Sequence, residues 1–193
     1  MRFALWWLAA LLAPFPPAVA GGQPQGAAER PVDRTYTADE ILEAADRAFG
    51  AGAQGLAQAI ERIFREQGRP NAYIVGREGA GALGLGIRYG KGTLYSKVEG
   101  NRTVHWQGPS LGLDAGGDLS AVFILVYDLH DTEEIFRRYP AIEGRAYLVG
   151  GLSVGYHQLG QVRLVPVRLG AGWRLGANVG YLHFTRKRRL LPL

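Results

Sequence analysis

The sequence predicts an α+β, mainly β fold: a small antiparallel β-barrel of about eight strands, with two N-terminal helices and one short helix. Three observations predict it. Helical spacing of apolar residues occurs twice before residue 70 and then stops. From Asn71 onward seven to nine short segments alternate with period two, separated by turn residues. The chain carries 28 glycines, and many fall inside those segments, where a missing side chain lets a sheet curl or another backbone come close.

The elements follow in order. Met1-Arg2, the apolar run Phe3 to Ala13, the prolines 14, 16 and 17, and Ala18-Val19-Ala20 before Gly21 form the three-part pattern of a secretory signal peptide, residues 1–20. As a helix the apolar run spans only ~17 Å, against ~30 Å for a bilayer core. Cleavage after Ala20 would release the protein into the periplasm. Residues 21–35 are rich in Gly, Pro and Gln without periodicity and read as a disordered linker. The domain proper is expected over 36–185, with 186–193 as a basic tail. Thr37 and Glu40 have capping-box spacing, and the helix they open puts Ile41, Ala45, Ala48 and Phe49 on one face before Gly50. A second helix places Leu56, Ala59, Ile60, Ile63 and Phe64 together and ends at Gly68 and Pro70.

Strands are predicted over 72–77, 80–89, 93–98, 102–107, 121–128, 146–157 and 162–168, with one or two more across 171–185. Gly84 and Gly86 share a face, as do Gly170, Gly172, Gly176 and Gly180, opposite an apolar row of Ala171, Trp173, Leu175, Ala177, Val179 and Tyr181. A short helix is expected between Asp131 and Pro140, capped by Asp131 and Glu134, with Ile135, Phe136 and Tyr139 buried.

The usual chemical motifs fail on context. Gly151 to Gly155 spells G-x-S-x-G, but strand rather than helix follows Ser153, and no acid occurs after Glu143 to complete a triad in that order. Gly90-Lys91-Gly92-Thr93 lacks the hydroxyl next to lysine and the following helix of a phosphate loop, and reads as a hairpin turn. His105, His130, His157 and His183 have no metal-ligand spacing. Residues 114–118 read as a turn rather than a calcium loop. With no cysteine there is no disulfide, thiol nucleophile or acylated anchor. The expectation is therefore no enzyme, no catalytic residue, no metal and no cofactor.

Charge is the feature that remains. Residues 21–143 hold 13 Lys/Arg and 17 Asp/Glu, while residues 144–193 hold 8 Lys/Arg and no acid. These are Arg145, Arg163, Arg168, Arg174, Arg186, Lys187, Arg188 and Arg189. Arginine suits phosphate and carboxylate through its planar fork. Export leaves nucleic acid aside, so the expected partner is an anionic lipid or envelope glycan, bound through these residues with Trp106 and Trp173 nearby and with possible peripheral membrane contact. The alternatives are a scaffold that binds envelope proteins through the apolar strand face, and a barrel seated in the outer membrane; the charged strand positions and capped helices argue against the latter.

Several runs are also familiar: RPNAYIVG (69–76), GIRYGKGTLYSK (86–97), WQGPSLGLDAGGD (106–118), LVYDL (125–129), AYLVGGLSVG (146–155) and LVPVRLGAGWRLGANVGYLHFT (164–185). Over residues 36–185 the chain resembles the Envelope integrity protein A family. The resemblance implies a periplasmic eight-stranded barrel with a role in envelope integrity and envelope stress, and it carries over no catalytic residues. Leu191-Pro192-Leu193 departs from that family's Asn-Pro-Phe ending. A weaker similarity, over 74–155, runs to SYLF lipid-binding domains through GxGxL (90–94) and the turn from Trp106 to Pro109.

Overall fold

The protein is described by a computed structural model, which covers residues 33–50, 53, 55–81, 86–110, 120–169 and 180–188. The signal segment, most of the linker, residues 170–179 and the end of the tail lie outside these residues.

Two helices open the domain. Helix α1 (Ala38–Phe49) starts at the expected capping box: Glu40 N donates to Thr37 Oγ1 at 3.2 Å, and Thr37 N donates to Glu40 Oε2 at 2.7 Å. Helix α2 (Leu56–Gln67) ends at Gly68, whose N–H donates to the Phe64 carbonyl. Ile41, Ala44, Ala45, Leu56, Ala59, Ile60 and Ile63 form their buried faces. The chain ahead of α1 is tied down earlier than expected. Asp33 accepts from both the N–H and the hydroxyl of Thr35 and pairs with Arg69 at 2.9 Å.

Among the described residues ten strands follow: β1 (Ala72–Gly81), β2 (Gly86–Ser96), β3 (Gly100–Ser110), β4 (Ser120–Tyr127), β5 (Arg138–Pro140), β6 (Tyr147–Val149), β7 (Leu152–Val154), β8 (His157–Leu159), β9 (Val162–Leu169) and β10 (Tyr181–Thr185). All pair antiparallel, in the order β5-β10-β3-β2-β1-β4-β9-β7-β6, with β8 on the other half of β9. A bridge from Ala141 to His157 joins the β5 end to β8, with Ile142 N donating to the Tyr156 carbonyl at 2.8 Å. Eight strands therefore make the curled wall, and the β6–β7 hairpin extends from it along β9.

Alternation along the strands builds two apolar layers. Ile74, Leu94, Val104, Trp106, Ile124, Leu164, Leu182 and Phe184 face inward and fill the barrel. Phe123, Leu125, Tyr127, Val165 and Val167 face outward on β4 and β9, where α1 and α2 cover them.

Four sequence expectations change. Residues 90–93 are not a hairpin turn but lie inside β2, whose span absorbs the separate strand expected at 93–98. A Cβ on Gly90 would stand 2.0 Å from Cε2 of Trp106, so this glycine leaves room for the indole. The strand expected at 80–89 is split, because β1 ends at Gly81 and β2 begins at Gly86. The segment 146–157 is a hairpin plus a third strand. Gly150 and Gly151 take positive φ (53° and 80°) to make its turn, and Gly155 bonds the carbonyl of Pro166, the residue on β9 that brings no N–H to the ladder. The short helix is a single 3-10 turn, Thr132–Ile135, capped by Asp131 and by Glu99, which accepts from Thr132 N at 2.9 Å, rather than by Glu134, before the chain passes into β5. Ile135 and Tyr139 are buried as expected.

Candidate functional site

The arginines of the acid-free segment are dispersed to different parts of the fold. Arg168 on β9 points into the barrel and is 2% exposed. Its Nε donates to Glu78 Oε1 at 2.6 Å, while Arg88 Nε lies 3.3 Å from the same oxygen. Trp106 Nε1 donates to Glu78 Oε2 at 3.0 Å. Burial pushes the Glu78 carboxyl up, but Arg168 and Arg88 outweigh it and hold the group ionised, below its ordinary range. Trp106 and Arg168 are thus members of an internal clamp on a carboxylate supplied by β1. Ser153 shares this inner face, in register with Arg168, and its Oγ has no hydrogen-bond partner among the described residues.

Arg163 is also engaged: it reaches Asp128 Oδ2 at 2.8 Å and Gln67 Oε1 at 2.6 Å, over the ring of Tyr127. Arg186 pairs with Glu133, which also holds Arg102, and lies 4.6 Å from the Phe136 ring centre. Lys187 and Arg188 are exposed and have no acidic partner among the described residues. Lys187, Arg186, His183 and Phe136 edge a shallow cavity of about 340 Å³. Arg174, Trp173 and Arg189 lie outside the described residues.

Arg145 remains exposed without an acidic partner among the described residues, and it edges the larger groove, about 420 Å³, between α2 and the chain entering β6. The groove is built by α2 and the β6–β7 hairpin. The i,i+4 pair Arg62 and Glu66 points from α2 toward it, with Arg62 Nε 2.7 Å from Glu66 Oε1. Tyr156, just past β7, donates its hydroxyl to Glu66 Oε2 at 2.6 Å. Tyr147 on β6 lies under the Arg62 guanidinium, 3.8 Å from ring centre to Cζ. The hydrogen bonds from Arg62 and Tyr156 hold the Glu66 carboxyl below its ordinary range. Burial first, then the bond to Glu66, pushes the Tyr156 hydroxyl up, so it stays a donor at neutral pH. Glu66 is thereby satisfied, and the groove retains one more cation than acid: Arg62 and Arg145 against Glu66. An anion could enter at Arg145 while its apolar or sugar portion lies against Tyr147 and Tyr156.

Sequence reasoning missed Tyr147, Tyr156, Glu66 and Glu78. A signal existed for two of them. Glu66 stands one helical turn from Arg62, and Glu78 is in phase with Ala72, Ile74 and Gly76, the inward positions of β1.

The fold and chain have relatives. The protein is similar to a beta-barrel-like, uncharacterised protein of Brucella abortus seen in a crystal structure, with a TM-score of 0.76 and 44% identity, covering 83% of this chain and 99% of that one. Among curated proteins none matches. The model of the Envelope integrity protein A family matches residues 34–193, the whole of the helix-and-barrel domain, and the chain belongs to that family.

Proposed function

We propose that this member of the Envelope integrity protein A family works as a non-catalytic periplasmic protein, exported by its first 20 residues, that holds an anionic envelope component in the groove beside Arg145. The component is a phosphate- or carboxylate-bearing lipid or glycan. The observation that carries this reading is a cation left without an acidic partner among the described residues, at the mouth of a groove walled by Tyr147 and Tyr156. Elsewhere the arginines Arg163, Arg168 and Arg186 already face acids from earlier in the chain. Arginine at a groove mouth binds such groups through its planar fork, and tyrosine faces accept the apolar side of a sugar ring or the start of an acyl chain.

Calorimetric titration with lipopolysaccharide, an acidic oligosaccharide and short-chain phosphatidylglycerol tests the reading and separates the sources. Binding by at least one of them at low salt is expected, weakened roughly tenfold or more by Arg145→Ala, the scale of a charged hydrogen bond. No binding by any of the three, or full binding by Arg145→Ala, would overturn it.

A second reading, a scaffold for other envelope proteins, is favoured by the edge strand β6, whose Leu148 is 50% exposed. A pull-down that returns one reproducible protein partner, lost in Leu148→Asp, would support it.

A further inference from the structure

The groove beside Arg145 holds an acceptor as well as donors. Glu66 stands in it as an ionised carboxylate whose two oxygens are each engaged once, by Arg62 Nε at 2.7 Å and by the Tyr156 hydroxyl at 2.6 Å. A carboxylate has about four lone-pair sites, so roughly two remain to accept. Arg62 spends its Nε on Glu66 and keeps its terminal N–H groups as donors. Gln67, the next residue of α2, also lines the groove. Its Oε1 accepts from Arg163 at 2.6 Å; a guanidinium only donates, so the amide NH2 is the end left over, as a further donor. Apolar surface is scarce by contrast. Tyr156 is 4% exposed, and one face of Tyr147 lies under the Arg62 guanidinium. Among the described residues that line the groove none is Leu, Ile, Val, Met or Phe.

We infer that the Arg145 groove is a sugar site and that its ligand is a glycan unit bearing one carboxylate, of the hexuronic acid class; the inference rests on the anion-binding reading of the same groove. Three features carry it. First, a phosphate alone only accepts, so a site built for it consists of donors, and a fixed carboxylate inside that site repels it. Neighbouring hydroxyls both donate and accept, and they can use Glu66 as well as Arg62 and Gln67. Second, an acyl chain gains affinity by burying methylenes. Laid against Arg62, Glu66 and Arg145 it would strip water from charged groups and return no hydrogen bond. A sugar ring needs only a small apolar contact for its C–H face, which Tyr147 and Ala146 can supply. Third, charge and size agree. Arg62 and Arg145 against Glu66 leave one positive charge. That surplus matches one carboxylate, held by the fork of Arg145, whereas a phosphate monoester carries about −1.5 to −2. The volume of about 420 Å³ lies at the small end of the range for single-ligand sites, roughly 300–1,000 Å³.

The test is calorimetric titration of the purified protein with trigalacturonate, its neutral methyl ester, inorganic phosphate and short-chain phosphatidylglycerol. Trigalacturonate should bind tightest, and the methyl ester roughly tenfold weaker or more, the scale of a charged hydrogen bond. Glu66→Gln separates a sugar site from a plain anion site by the sign of its effect. It keeps an oxygen for Tyr156 and removes the negative charge, so phosphate should bind the variant as well as the parent or better. Trigalacturonate should bind it roughly tenfold weaker, because its hydroxyls lose a charged acceptor. Gln67→Glu keeps an oxygen for Arg163, removes a donor and adds a like charge. It should weaken trigalacturonate by a similar factor and keep a thermal midpoint close to that of the parent. Trigalacturonate bound no tighter than its methyl ester or than phosphatidylglycerol, or bound by Glu66→Gln as tightly as by the parent, would overturn the inference. Phosphatidylglycerol bound through Arg145 in that event leaves the anion-binding groove standing and removes only its sugar specificity. Binding by none of the four probes removes both.

Discussion

A methyl group on Gly90 would lie 2.0 Å from Cε2 and 2.3 Å from Nε1 of Trp106, and one on Gly76 would lie 2.7 Å from the far edge of the same ring. The indole therefore rests on two backbone positions that carry no side chain, with its N–H directed at Glu78. The register explains the arrangement, since Gly90 is the partner of both Trp106 and Glu78 across adjacent strands. Gly90→Ala should lower stability by about 1–3 kcal/mol, the range for overpacking a filled core. For a domain of this size that is a fall of roughly 2–4 °C in Tm per kcal/mol. Adding Trp106→Phe should recover part of the loss, because the smaller ring vacates the space the methyl needs. Thermal melts of the two single variants and the double variant measure this coupling. Strictly additive losses would show that the ring does not constrain Gly90.

Among the elements, α1 shows what local chemistry can specify. Its capping box is closed on itself, and Glu40 also holds Lys97 just past β2 at 2.7 Å, so one carboxylate both starts the helix and ties it to the sheet. Thr37→Ala should cost about 0.5–2 kcal/mol, read as a lower urea midpoint with an unchanged slope. Thr37→Ser should behave like the parent. The helices were legible from their period and caps, and β4 from a continuous apolar run, Ala121 to Tyr127, buried on both faces. The segment 147–159 was not, because its strands are three residues long, too short for alternation to show. The Gly150-Gly151 turn falls inside the single strand expected over 146–157. The position of the charges was legible in composition but not in space. Arg168 alternates like any outward polar residue, and only pairing with Glu78, 90 residues away, makes its burial tolerable.

For the whole molecule, the wall closes at one narrow seam, and His157 stands on it. Its Nδ1 lies 3.3 Å from the carbonyl of Tyr139. A carbonyl only accepts, so Nδ1 carries the proton and the neutral ring needs no other. Burial, reinforced by the positive charge of Arg168 and then Arg88 and opposed by Glu78, pushes its pKa down from 6.5 to about 3. The folded protein therefore keeps this imidazole neutral, whereas the unfolded chain protonates it near its ordinary value. Stability is full above about pH 6.5 and falls as the pH drops from there toward about 3, at about 1.4 kcal/mol per pH unit. The carboxyls held low, Glu78, Glu66, Glu40 and Glu99 from 4.5 and Asp33 from 3.8, contribute stability that is present above those values and lost only below them. Between about pH 6.5 and 4.5 these carboxyls add no slope, whereas the neutral His157 does. The parent protein should lose roughly 2–3 kcal/mol of stability across that window, seen as a Tm that falls steadily. His157→Gln, which keeps a donor toward Tyr139 but cannot take a second proton, should start lower and show a nearly flat Tm over the same range. A parent Tm that is flat between those values, or a variant that falls as steeply, would remove the buried neutral imidazole from the closure of the barrel.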